Sequence, residues 1–264
     1  DLGYYGLSYS VFAHADSLES LLANTPTPPA KDQGRILLDT LRFDEPGERT
    51  GNQITLLGWH RADGYAGLEP ARRLDYRSLA AMRVAGVRWV RRSPATEQIQ
   101  GLIPENGQWL RVPDPLPHVR LISLALCTDE PAAHVSEIDL QSTALVDEPL
   151  YLEGGSAGTV LLESQRPGRL ELLVHAPSRQ LLVVSESFHP GWEAAVNGRA
   201  QPVVRINGDF LGCVVEPGCH RVNLEFRPRS LRYGRAFSLA GFVVAFLLAA
   251  LPSPARAVRS KEPI

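Results

Sequence analysis

Twenty consecutive residues without a charge, AFSLAGFVVAFLLAALPSPA from Ala236 to Ala255, constrain this chain more than any other feature. A helix rises about 1.5 Å per residue, so such a run reaches roughly 30 Å, the thickness of a bilayer's hydrocarbon core. Nine of the twenty are Leu, Val or Phe, which together favour insertion by roughly 3 to 5 kcal/mol. Arg229, Arg232 and Arg235 precede the run, and Arg256, Arg259 and Lys261 follow it. The competing reading is a buried helix of a soluble domain, and Pro252 shortens the unbroken apolar stretch to sixteen residues. Basic clusters at both ends favour the membrane reading. The expectation is one C-terminal transmembrane helix over residues 236–255, with a tail over 256–264.

Charge divides the chain in the same place. Residues 220–264 hold eight Arg or Lys against Glu225 and Glu262, a balance of +6, whereas the remainder holds 19 basic and 27 acidic residues, a balance of −8. An acidic body gives no reason to expect nucleic acid as a partner, and the basic flanks suit lipid headgroups. Three cysteines are too few and too scattered for a disulfide framework or a zinc site. A two-residue hairpin at Pro217-Gly218 would set Cys213 opposite Val222 and Cys219 opposite Glu216, out of register for a bridge. Residue 1 is Asp and no leader-like segment follows, so the chain reads as a piece of something longer.

The pattern predicts a mixed α+β protein. Residues 1–34 read as an irregular lead-in. Residues 35–116 read as a small α/β unit: strands at Arg35–Asp39, Asn52–Trp59 and Val87–Val90, and a helix over Asp75–Ala85 that Gly86 stops. Residues 117–230 carry eight short strand candidates with turn signals between them: 118–125, 158–163, 169–175, 180–185, 192–196, 202–206, 210–215 and 220–226. Asn197-Gly198 and Asn207-Gly208 accept the positive φ of hairpin turns, and Pro167-Gly168 and Pro217-Gly218 suit type II turns. That punctuation describes an antiparallel β-sandwich, jelly-roll-like.

No active site stands out. Gly154-Gly155-Ser156-Ala157-Gly158 has nucleophile-elbow spacing, but TVLLES after it alternates like a strand, so a glycine-rich loop is the better reading. The seven histidines form no metal-ligand pair, and nothing calls for a cofactor. Trp59, His60 and Tyr65, with Trp89, are candidates for a sugar-stacking surface, and His189 and Trp192, with Phe188, for a second. Trp and Tyr are also plain core residues, and sandwich core is the favoured reading for Trp192 in particular.

Val183 to Phe237 resembles the C-terminal signature of bacterial YfhO-like membrane proteins. The residues that carry it are Ser187 and Phe188 before Pro190-Gly191-Trp192, the turn Asn197-Gly198, Pro217, Gly218 and His220, and Phe226 with Pro228. Upstream, Asn52, Gly64, Tyr65, Leu68 and Tyr76 fit as well. The resemblance implies a polytopic parent similar to GT-C glycosyltransferases, which use polyprenyl-phosphate-linked sugars to decorate cell-envelope polymers. It places the catalytic acid in an earlier loop, leaves the metal requirement of that parent open, and makes the preceding transmembrane bundle a partner. Residues 1–232 would be extracytoplasmic, with the C-terminus cytoplasmic in a bacterial cell. The implied work is acceptor positioning; the alternatives are a membrane-anchored carbohydrate-binding module or a structural brace.

Overall fold

The computed structural model describes residues 17–30, 34–38, 53–62 and 72–250. The chain is mixed α+β, with three sheets whose strands pair mostly antiparallel.

The lead-in is not wholly irregular. Leu18–Ala23 forms a short helix, α1, whose Ser17 accepts a hydrogen bond from the Ser20 amide, the ordinary N-cap arrangement. Arg35–Leu37 is β1. The second strand expectation, Asn52–Trp59, is corrected: Gln53–Leu56 is helical, α2. A four-residue apolar run such as ITLL fits either element, and periodicity cannot arbitrate at that length. Leu79–Val84 is α3; Gly86 follows at φ +71° as its stop. Val87–Arg91 (β2), Ile103–Asn106 (β3) and Trp109–Arg111 (β4) complete the first sheet, in the order β1-β2-β4-β3. β1 and β2 run parallel across the connection that contains α3.

Eleven strands follow: Val119–Ile122 (β5), Leu124–Cys127 (β6), Thr143–Val146 (β7), Thr159–Arg166 (β8), Arg169–Ala176 (β9), Gln180–Ser187 (β10), Trp192–Val196 (β11), Arg199–Gln201 (β12), Val204–Ile206 (β13), Phe210–Val215 (β14) and Gly218–Phe226 (β15). They form a six-stranded sheet, β5-β10-β14-β13-β7-β6, and a five-stranded sheet, β12-β11-β15-β9-β8.

The layers are set by which side chains alternate. In β9 the apolar residues Leu170, Leu172, Val174 and Ala176 are buried, while the residues between them are half-buried or exposed. This is the pattern of a sheet with one wet face. β10 is instead buried almost throughout, with Leu181 to Val184 as an unbroken apolar run. Its Leu182 and Val184 join Leu121, Leu211 and Cys213 in a core shared with the five-stranded sheet. Its Leu181 and Val183 join Val84, Val87, Val90 and Phe210 in a second core shared with α3 and the first sheet. The six-stranded sheet is therefore a middle layer, covered on both faces along β10 and β14, while its edge strand β6 is largely exposed. On the far side of the first sheet, Ile36, Leu38, Ile54, Trp59, Trp89 and Trp109 form a third core.

Two expected turns have the predicted chemistry. Pro167-Gly168 joins β8 to β9 with Arg166 opposite Arg169 and Gly168 at φ +73°. Asn197-Gly198 joins β11 to β12 with both residues at positive φ, as a type I′ turn requires. The Pro217-Gly218 hairpin is corrected. β14 pairs with β10 and β13, whereas β15 pairs with β9 and β11, so the connection crosses from the middle sheet to the outer one. Turn residues define a bend, and nothing local specifies which sheet receives the next strand.

The expected C-terminal transmembrane helix is not borne out among the described residues. Arg229–Ala250 forms one helix, α4, which draws Arg229, Arg232 and Arg235 into its first turns. Within the described residues its uncharged part covers Ala236 to Ala250. Among the described residues no helix is long and apolar enough to cross a membrane. Residues 251–255 of the expected span, and the tail over 256–264, lie outside the described residues.

Candidate functional site

Two constellations concentrate the side chains that are neither plain core nor plain surface. The first is the joint where α4 leaves the outer sheet. After β10 the Phe188 amide donates to the Asp209 carbonyl at 2.6 Å, and the Trp192 amide donates to the His189 carbonyl at 3.0 Å, closing the Pro190-Gly191 turn. Nδ1 of His189 accepts from the Gly191 amide at 2.9 Å. Gly191 lies against Pro228 so closely that a Cβ would sit 2.7 Å from the Pro228 Cα. The Arg227 amide donates to the Gly191 carbonyl at 2.7 Å. Phe226 is the hub: its amide donates to the Gly168 carbonyl. The His189 ring meets it edge-on at 5.2 Å, and the Trp192 ring lies tilted against it at 5.4 Å. Trp192 is half-buried against the core between the outer and middle sheets. His189 is exposed, and Phe226 is 38 % exposed, so the cluster keeps a wet edge. Pro190-Gly191-Trp192 and Phe226-Arg227-Pro228 are thus two halves of one clasp.

The remaining motif residues are turn chemistry. Asn197 Oδ1 accepts from the Arg221 amide at 2.9 Å, and its Nδ2 lies 3.0 Å from His220 Nδ1. His220 Nε2 donates to the Glu216 carbonyl at 2.8 Å, which ties the Pro217-Gly218 bend to β15. Gly218 itself has φ +122°.

The candidate sugar platform around Trp59 is not assembled by the described residues. Trp59 and Trp89 are 6 % and 3 % exposed, inside the third core. Tyr65 lies outside the described residues, as do Asn52, Gly64 and Leu68. Among the described members of the group His60 is exposed, and it borders a different feature.

That feature, the second constellation, was missed by sequence reasoning. A cavity of about 590 Å³ opens where β1 and the loop before β5 meet β8; Arg35, His60, Arg88, His118, Leu162 and Gln165 are among its lining residues. The pairing of β10 with β14 is irregular between Val184 and Ser187. At that irregularity the Ser185 carbonyl accepts from Arg35 Nη1, and the Glu186 carboxylate accepts from Arg35 Nη2 at 2.7 Å. Such irregularities re-aim side chains. Arg120, inside the apolar run of β5, is 8 % exposed; its Nη1 donates to the Pro117 carbonyl at 3.1 Å and approaches Ser185 Oγ at 3.4 Å. Burial lowers its guanidinium to about 10, still charged at neutral pH. His118, its side chain 16 % exposed, lies 3.4 Å from Glu186. Burial first, then the charges of Arg35, His60 and Arg120, pull its imidazole down to about 3. It is therefore neutral, and the approach to Glu186 is not an ion pair. Neither of its ring nitrogens has a hydrogen-bond partner. The sequence signal was a single Arg inside VRLI; its partner Ser185 lies 65 positions on, and Arg35 reaches that same residue across 150.

Gly154–Gly158 is a loop, with Gly154 and Gly155 at positive φ. Gln180 holds it by donating to the Ser156 carbonyl and accepting from the Gly158 amide, and β8 follows rather than a helix. Among the described residues no group of three or more His, Cys, Asp or Glu is placed to hold a metal ion. No curated protein and no solved structure matches the chain. Residues 160–238, which run from the start of β8 through the clasp into α4, match the family described as bacterial membrane protein YfhO and form a YfhO-like region.

Proposed function

We propose that the chain is a strand-built recognition platform of a YfhO-like bacterial membrane glycosyltransferase, holding an envelope-polymer acceptor at a fixed height and angle beside the membrane. The parent would transfer sugar from a polyprenyl-phosphate donor, with its catalytic acid outside this stretch. The observation that carries the reading is the clasp. Gly191, Phe226 and Pro228 lock the start of α4 to two strands of the outer sheet, so the sandwich has a defined orientation relative to that helix. Rigid elements position a binding surface better than loops do. α4 supplies the membrane contact: Phe237, Phe242 and Phe246 are each about three-quarters exposed, and contiguous apolar exposure of this kind suits an interface rather than water. The match to a bacterial membrane protein family agrees with membrane association.

Liposome flotation tests the anchoring. The chain should float with vesicles, and a variant ending at Pro228 should remain at the bottom with an unchanged melting transition. NMR titration with envelope-polymer fragments tests recognition; absence of any shift would overturn the acceptor role.

A second reading, a membrane-attached carbohydrate-binding module, is favoured by the wet edge of His189, Trp192 and Phe226. It requires sugar-induced shifts confined to that edge and no dependence of a glycosyl-transfer assay on this region.

A further inference from the structure

We infer that the cavity between the first sheet and the sandwich edge is a binding site for a terminal phosphate, either free or carried as a monoester on an organic body. This goes beyond the platform reading and does not rest on it.

Three features converge. Among the described residues the lining contains Arg35, Arg88, His60, His118 and Gln165 and no carboxylate. The Glu186 carboxylate, not itself part of the lining, holds Arg35 at 2.7 Å and lies 3.4 Å from His118 Nε2. His118 presents two buried ring nitrogens without partners; a neutral imidazole keeps one N–H to donate. A buried donor left unmatched costs on the order of 1 to 3 kcal/mol, so it calls for an explanation, and an acceptor in the cavity supplies one. Two residues beyond His118 and outside the lining, Arg120 holds a buried guanidinium whose partners are the neutral oxygens of Pro117 and Ser185, with its Nε unmatched. An uncompensated buried cation is unfavourable until an anion comes near it.

The geometry selects among anions. The donors stand on different walls: Arg35 on β1, Arg88 on β2, His118 before β5 and Gln165 on β8. A tetrahedral oxyanion has acceptors pointing in all those directions, whereas a planar carboxylate satisfies a fork in one plane. A volume of about 590 Å³ is that of a small-molecule site, roughly 300 to 1,000 Å³. A bare anion would fill only part of it, and Leu116, Val119, Val160 and Leu162 give the rest an apolar wall.

The test is isothermal titration calorimetry of the full chain at fixed ionic strength with inorganic phosphate, a water-soluble phosphate monoester, and short-chain phosphatidic acid below its micellar concentration. Sodium acetate is the control. Saturable binding of phosphate or of either ester, weakened at least tenfold by His118→Phe and by Arg88→Gln, supports the site. The titrant that binds most tightly identifies the source as free ion, soluble ester or lipid. His118→Phe removes the unmatched nitrogens at similar shape, so its melting temperature without ligand should hold or rise, which separates lost binding from lost folding. No binding above the acetate control overturns the site, and so does equal binding by both variants.

Discussion

Gly191 and Gly198 show how differently the same residue type is used within seven positions. At Gly191 an added Cβ would lie 2.7 Å from the Pro228 backbone, so Gly191→Ala must push the clasp open. We expect it to cost about 1 to 3 kcal/mol, read as a shifted urea midpoint with unchanged slope. At Gly198 nothing lies within 4 Å of an added Cβ, and Gly198→Ala should cost only about 1 kcal/mol for its positive φ. His118 and Asp209 carry opposite pH signatures. His118 is held at about 3, so between pH 3 and 6.5 the unfolded chain binds its proton and the native one does not; stability is lost as pH falls through that window. Burial, opposed by the Ser187 hydroxyl, raises Asp209 to about 6, so its contribution is lost as pH rises from about 4 to 6. Relative to wild type, His118→Phe should therefore gain stability as pH falls below 6.5, and Asp209→Asn as pH rises from 4 to 6. Denaturant titrations at four pH values would show both trends; parallel curves would contradict them.

The elements most legible in the sequence are those fixed by local chemistry. β11 and β14 fall on the predicted residues, and the Pro167-Gly168 and Asn197-Gly198 turns close because their residues accept the required φ. Helix α3 was legible from its apolar spacing and Gly86 at its end, but it begins at Leu79 rather than at the expected Asp75. What was not legible depends on distant partners. Gln53–Leu56 is helical although its composition suits a strand. The crossing at Pro217-Gly218 looks like any hairpin turn until β14 is seen pairing with β10. The clasp was half legible: its two motifs were visible, their meeting at Phe226 was not. The polar cavity was hidden altogether, since Arg35 and Glu186 meet only through folding. Asn197→Ala tests the locally written class. It removes a side-chain acceptor for the Arg221 amide at a residue with φ +51°, and should cost about 1 to 2 kcal/mol. A loss below 0.3 kcal/mol would mean that the turn holds without it.

At the scale of the molecule, the middle sheet decides how the parts depend on one another. Leu181 and Val183 face one core while Leu182 and Val184 face the other. Leu182→Ala should cost about 2 to 5 kcal/mol and lower a single calorimetric transition rather than one of two. The same architecture separates a boundary in sequence from a boundary in folding. The YfhO-like stretch over 160–238 contains β10 and β14 but omits β5, β6 and β7, their companions in that layer. Excised alone, it would carry a greasy slab with no lid and two raw flanks, and such a piece sticks to its copies instead of folding. The smallest heritable unit that stands unaided is larger than the stretch by which relatives are recognised.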